Sequence, residues 1–202
     1  MRNRVAADGV GRYVQLVLAC TVLGAGVAFL LEAALGSDGY SSLVNGLTLA
    51  TGLPFWSLNL LVGAGLIALA WMRGTRPGPG TLVQWFLVGF VISGVMAVVP
   101  PVHVLTGRVA YLALAFVLIA LGVAGYLASN TGAGPAEAAA LAWDPPVPFR
   151  WSYSIVQGGG ALVGWLLGAA IGPGTLLVIF LLGPAVDLLR RAVPMMERVR
   201  CP

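Results

Sequence analysis

The chain contains no lysine, one histidine and two cysteines, and only 9% of its residues are charged. Soluble domains carry about 25% charged residues, so a water-soluble globule is excluded at the outset. A single histidine leaves little for general acid–base chemistry. There is no serine–histidine–aspartate set, no His-Glu-x-x-His zinc spacing, no paired aspartates and no cysteine–histidine pair. An enzyme is therefore the weakest reading, and neither a metal nor a cofactor is expected. Cys20 lies in an apolar run and Cys201 is next to last, so they form no disulfide or metal motif. The Cys201-Pro202 end is too short for a prenylation box. All eleven basic residues are arginine, but no aromatic–basic patch accompanies them, and nucleic acid is not an expected partner.

What the sequence does contain is hydrocarbon: 59% of residues are hydrophobic and the mean hydropathy is +0.94. A helix needs roughly 20 apolar residues to cross about 30 Å of lipid. Apolar stretches at 13–35, 55–72, 81–99, 108–128, 151–171 and 175–189 predict six spans in a single membrane domain covering residues 1–202. The first is longer than a signal-peptide core and is not followed by a clean cleavage site. Breakers at 73–80, Pro100-Pro101 and Gly172-Pro173-Gly174 separate later spans. Two more apolar segments, 41–51 and 135–143, would reach only about 16 and 13 Å as helices. Neither crosses; each lies on an interface, or dips into the membrane and returns with protein or water around its backbone.

Six spans place both termini on one face. If that face is cytoplasmic it receives Arg2, Arg4, Arg12, Arg73, Arg76, Arg150, Arg190, Arg191, Arg198 and Arg200, leaving only Arg108 outside. This asymmetry follows the positive-inside rule and predicts a plasma-membrane protein with cytoplasmic termini.

The chain also repeats itself. GPGTLVQWFLVG at 78–89 and GPGTLLVIFLLG at 172–183 agree at eight of twelve positions, 94 residues apart. GVAFLLEAALG at 26–36 faces GVAGYLASNTG at 122–132; PFWS at 54–57 faces PFRWS at 148–152; Gly63 and Gly65 face Gly158 and Gly160. Each copy, 13–100 and 108–191, reads span, short segment, span, GPGT, span. An odd span count inverts the second copy relative to the first, giving an all-α, three-plus-three inverted repeat of the kind common in secondary transporters. Within GPGT, threonine is a good N-cap, and Thr81 with Gln84 has capping-box spacing. A phosphate loop is disfavoured because Gly-Lys-Ser/Thr is absent.

GWLLGAAIGPGTLLVIFLLGPAVDLL at 164–189, with GAGPAEA at 132–138, resembles the bacterial YczE/YyaS/YitT membrane-protein family. The resemblance covers nearly the whole chain and is most specific in its last third. It implies a multi-spanning membrane protein and brings no settled biochemical activity. That family's first short segment typically reads Gly-Thr-Ser-Pro-Trp-Asp. Here Gly39, Tyr40 and Ser41 stand at the last three positions, and the acid survives only as Glu137 in the second copy.

Polar residues inside spans are functional candidates by default. Glu32, Asn45, Asn59, Asn130, Glu137 and Gln157 lie within or beside the apolar stretches. Glu32 and Asn130 fall near span ends, where water is in reach, while Asn59 and Gln157 could equally be interhelical hydrogen-bond glue. Ser41, Ser42 and Pro135 open the short segments, whose N-terminal ends can hold anions or polar solutes if they enter the membrane. The solute-binding candidates are thus Ser41, Asn45, Asn59, Glu137 and Gln157. Asp187 with Arg190 and Arg191 reads as a salt-bridged helix end, and His103 as an exposed loop residue. Gly160, Gly164, Gly168 and Gly172 repeat every four residues and predict a groove for a second helix, either within the chain or in a homo-oligomer. Two functions remain open: a permease or channel for a small solute, or a non-transporting membrane scaffold acting through helix contacts. Beyond these, the lipid bilayer is the expected partner.

Overall fold

The computed structural model describes residues 2–144 and 146–192. Its elements are all helical: α1 (Arg2–Ala33), α2 (Gly39–Thr51), α3 (Phe55–Met72), α4 (Pro79–Val98), α5 (Leu105–Ser129), α6 (Pro135–Leu141), α7 (Phe149–Leu166) and α8 (Pro173–Ala192). Helices α1 and α5 form the centre. Leu16, Cys20, Leu23, Val27 and Leu30 of α1 are buried with Leu112, Ala115 and Ile119 of α5. α4 packs against α1 and α8 against α5, while the short α2 lies on α7 and the short α6 on α3 and α7.

The central crossing is close because two glycines remove side chains at reciprocal points. A Cβ on Gly26 would sit 2.8 Å from the backbone nitrogen of Ile119, and one on Gly122 would sit 2.7 Å from the Cα of Leu23. Both pairs are related by the same shift, 122 − 26 and 119 − 23, of 96 positions. The helix ends repeat the pattern. α1 and α5 both finish in left-handed backbone, at Ala34 (φ 49°) and Asn130 (φ 48°), followed by Gly36 and Gly132 at positive φ. Leu35 O accepts from Gly174 N (2.8 Å), and Thr131 O accepts from Gly80 N (2.9 Å), so each GPGT turn docks on the end of the other copy's central helix.

Among the described residues, four helices are long and apolar enough to cross a membrane: Val10–Ala33 of α1, then α3, α4 and α5. The fifth and sixth expected spans differ from this. α7 carries Ser152, Ser154, Gln157 and four glycines that dilute its apolar character, and the apolar part of α8 is the shorter Pro173–Val186. Large apolar side chains nonetheless face outward on these helices as on the others; Leu61, Ile155 and Phe180 are each about two-thirds exposed. Such a surface is stable against lipid rather than water.

Several local expectations are corrected. α7 ends at Leu166, five residues before the expected limit, because Gly168 adopts φ 96° and turns the chain, as Gly74 (φ 89°) does after α3. The four-glycine stripe is therefore not one helix face. Only Gly160 and Gly164 lie on α7, and α2 of the same chain fills their groove: Gly160 abuts Gly39 O and Gly164 abuts Ser42 O. Gly172 stands before α8 against Leu35 O. An oligomer through these glycines thus lacks a free surface at Gly160 and Gly164.

The GPGT threonine is not an N-cap. α4 starts at Pro79 with Gly78 as N-cap, and Thr81, three residues in, accepts from Gly78 N (3.3 Å) and donates to Ala133 O (2.6 Å). Gln84 is released from capping and turns elsewhere. The α3 and α7 registers also differ from the sequence match. Pro54 and Pro148 are the two N-caps, a shift of 94, which sets Tyr153 opposite Asn59 and Gln157 opposite Gly63. The side chains of Asp187, Arg190 and Arg191, and all of Cys201, fall outside the described residues. His103 is exposed between α4 and α5, as its loop position predicts.

Candidate functional site

The two short helices start deep in the protein, and polar side chains gather at both starts. α2 begins two residues earlier than its apolar pattern suggests, because Asp38 caps it: Asp38 Oδ2 accepts from Ser41 N (3.0 Å) and Asp38 O from Ser42 N (2.8 Å). At about 1.5 Å per residue, α2 extends about 20 Å and α6 about 10 Å, so neither crosses.

Tyr40, in the first turn of α2, organises the first cluster. Its backbone N–H donates to Gln157 Oε1 (2.9 Å), and Gln157 Nε2 donates to Tyr153 Oη (2.7 Å). Its hydroxyl donates to Asn59 Oδ1 (2.9 Å), whose Nδ2 in turn donates to Trp85 O (2.9 Å). Trp85 Nε1 returns a bond to Leu60 O (3.1 Å). α2, α3, α4 and α7 are thereby tied at one level. Gly63 leaves the room: a Cβ there would press into the Trp85 ring and lie 3.3 Å from Tyr40 Oη.

Glu137, in the first turn of α6, organises the second. Its Oε1 accepts from Tyr126 Oη (3.2 Å) on α5. Its Oε2 points at the space beside Gly134, 2.6 Å from where a Cβ would stand, and Gln84 from α4 brings Oε1 and Nε2 to 2.7 and 2.8 Å from that same point. Gln84 Oε1 is buried and has no hydrogen-bond partner. Burial raises the Glu137 carboxyl above the usual carboxylate range, against the lowering effect of its own backbone N–H and the Tyr126 hydroxyl, while the charge of Asp38 raises it further. Burial pushes the Tyr40 phenol up too, and the charges of Asp38 and Glu137 add to that, so the two clusters lie within electrostatic reach of each other.

Of the five expected site residues, Asn59 and Gln157 meet through Tyr40, and Glu137 stands in the neighbouring cluster. Ser41 is buried, and its backbone N–H donates to Asp38 Oδ2. Asn45 is half-buried one turn along α2 and belongs to neither cluster. Asn130 is a helix C-cap with left-handed backbone, not a site residue, and Glu32 is half-buried on α1 near its end. Sequence reasoning missed Tyr40, Gln84, Tyr126 and Tyr153. Gln84 carried a usable signal, an amide inside an otherwise apolar run, but its spacing from Thr81 suggested a cap. At the C-terminal end of α5 a recess of about 320 Å3 opens to the surface, lined by Arg12, Tyr13, Pro79, Asn130 and Thr131.

Residues 10–191 match DUF6198, described as a family of unknown function. The chain belongs to the DUF6198 family. A relative described as an uncharacterized membrane protein, YczE of Bacillus subtilis (strain 168), is 28% identical over 169 residues, covering 80% of this chain and 77% of that protein. An uncharacterized protein of Haemophilus influenzae (strain ATCC 51907 / DSM 11121 / KW20 / Rd) is 25% identical over 176 residues, covering 85% of this chain and 80% of its own length. No solved structure matches the chain significantly. The likeness to YczE agrees with the resemblance carried by the GPGT and GAGPAEA stretches, and with the outward apolar helices it places this DUF6198 protein in a membrane.

Proposed function

We propose that this protein is a plasma-membrane permease or channel for a small polar solute, moved without chemical change. Its two sequence copies contribute three spans each, inserted in opposite senses, with α2 and α6 dipping into the membrane from opposite faces. Both termini lie in the cytoplasm with most of the arginines.

The carrying observation is the placement of two polar clusters at the starts of two helices too short to cross, packed across the copies on α7 and α3. Irregular backbone and polar groups at membrane depth are tolerated where they line a path or cavity. The contacts that recur at a shift of 96 support two equivalent copies. Asn59, Tyr40, Gln157 and Glu137 offer donors, acceptors and one carboxyl, which suits binding rather than bond making.

The test begins with purified protein screened against a panel of small polar solutes for ligand-induced stabilisation, since binding raises melting by mass action. Solutes that stabilise are then followed into proteoliposomes. Uptake above that of protein-free vesicles, reduced by Asn59→Ala, is the expected result. Stabilising solutes that never cross would favour the scaffold reading and sink the permease.

A further inference from the structure

The carbonyl oxygen of Gln84 is the unpartnered buried polar atom among the described side chains, and the Gln84 amide and the carboxyl oxygen of Glu137 that Tyr126 does not engage flank the same space beside Gly134. A buried carbonyl without a donor costs about 1–3 kcal/mol, so a donor belongs there. We infer that Glu137, Gln84 and Tyr126 form a proton-binding site, in which Glu137 carries its proton on Oε2 and donates it to Gln84 Oε1 while its Oε1 accepts from Tyr126.

The surroundings favour the neutral acid. Among the described guanidiniums, Arg12 is committed to Ser129 O and Asn130 O, Arg108 to the carbonyls of Ala33 and Ala34, and Arg73 lies over the Trp143 ring at 3.7 Å, past the far end of α6, while Arg76 is exposed in the loop before α4. The titratable groups that do face Glu137 are Tyr126 from α5, Tyr40 from α2, Tyr153 from α7 and Asp38 from the turn before α2. Three are neutral phenols and the fourth is another acid. Among the described side chains no cation pairs with Glu137, and an ionised carboxylate buried without one is the costly arrangement. α6 has only seven residues, so its dipole supplies little. Gly134 completes the site, because any side chain there would fill the gap through which Oε2 and Gln84 meet.

With Gln84 Oε1 turned to Glu137, loss of the proton would leave a carboxylate facing a carbonyl oxygen. The cluster therefore has one arrangement with the proton and must rearrange, or accept a donor from a solute, without it. On the permease reading, and only on it, this makes the proton the coupling ion.

Glu32 and Glu197 are the chain's other glutamates. In an E32Q/E197Q chain, glutamate labelled at the side-chain carboxyl reports Glu137 alone, with the site itself untouched. Infrared or NMR titration of that chain in lipid should show a protonated carboxyl at neutral pH that ionises on alkalinisation. Adding Gln84→Leu removes the acceptor of the proton, so the midpoint should fall by roughly half to one pH unit. If Gln84 instead turned its amide over and donated to an ionised Glu137, the same substitution would raise the midpoint. An ionised Glu137 at neutral pH, a raised midpoint or an unmoved one would each overturn the inference. An ionised Glu137 in a protein that still transports would sink the proton site alone. A protonated Glu137 in a protein without flux would sink the permease alone.

Discussion

Arg12 and Arg108, 96 positions apart, close the C-terminal ends of each other's helices. Arg12 Nε donates to Ser129 O (2.9 Å) and its second nitrogen to Asn130 O (3.2 Å) at the end of α5. Arg108 Nε donates to Ala33 O (2.7 Å) and its second nitrogen to Ala34 O at the end of α1. The last carbonyls of a helix lack intrahelical partners and carry partial negative charge, which a guanidinium fork satisfies. Ala34 gains most, because a left-handed alanine is strained by about 1–2 kcal/mol. Arg108 is the one arginine that the charge asymmetry left on the outer face, and this contact gives it a structural reason to be there.

Arg108→Met should therefore lower stability by about 1.5–3 kcal/mol, the range for hydrogen bonds to a charged group. Arg108→Lys should recover less than half, since an ammonium lacks the planar fork. Melting of the purified variants in detergent checks both. Equal melting of the methionine variant and the parent would reduce the contact to decoration.

The α7 glycines should separate sharply by position. Gly164→Ala drives a Cβ into Ser42 O and should destabilise the protein by roughly 1–3 kcal/mol or more. At Gly159 nothing lies within 4 Å, and alanine should be neutral or slightly stabilising as the better helix former. Equal effects at the two positions would contradict the α2–α7 packing.

Much of this architecture was legible in the residues, and the parts that were not have physical reasons. The order of helices followed from apolar runs and breakers, and the repeat from the two GPGT stretches. The shortness of α2 and α6 followed from their length alone. The caps were less legible. Asp38 starts α2 ahead of its apolar pattern, and Thr81 serves a tertiary bond to Ala133 that no local rule contains. Gln84 looked like a capping partner because spacing shows what a side chain can reach nearby, not what approaches from 50 residues later in the chain. Tyr40 and Tyr126 were missed for a similar reason: neither the polar turn around Tyr40 nor the apolar run around Tyr126 shows the hydroxyl partner, Asn59 or Glu137, that the fold brings beside it. The glycine stripe failed because periodicity assumed a helix through Gly168, where the backbone turns left-handed.

The pH dependence of stability should carry the signature of Glu137. Its carboxyl is raised in the folded protein, so the folded state holds the proton more tightly than the unfolded chain does. Stability from this group is complete below the ordinary glutamate range, about 4.3, and is lost as pH rises through the folded value. Glu137→Gln should therefore melt close to the parent in acid and above it in mildly alkaline buffer. Parallel curves across that window would contradict a raised Glu137.

Tyr40→Phe removes one hydroxyl and leaves Asn59 Oδ1 without its donor. A loss of about 1–3 kcal/mol is expected for an unsatisfied buried acceptor. Adding Asn59→Leu to Tyr40→Phe should restore part of it, because both ends of the bond are then apolar. Detergent melting of the single and double variants would settle this, and a strictly additive pair would contradict a direct bond.

Opposite insertion of the two copies is the claim on which the rest depends, and cysteine accessibility reaches it most directly. Gly78 and Gly172 are poor sites for labels, because a Cβ at either would press on a carbonyl, Thr131 O or Leu35 O. Met72, 78% exposed at the end of α3, and Ala170, exposed after α7, are better placed. Cys20 is fully buried and can stay, while Cys201 is replaced by serine. In intact cells a membrane-impermeant thiol reagent should label Ala170→Cys and spare Met72→Cys, and opening the cells should expose the latter. Labelling of both from the same face would contradict the inverted repeat.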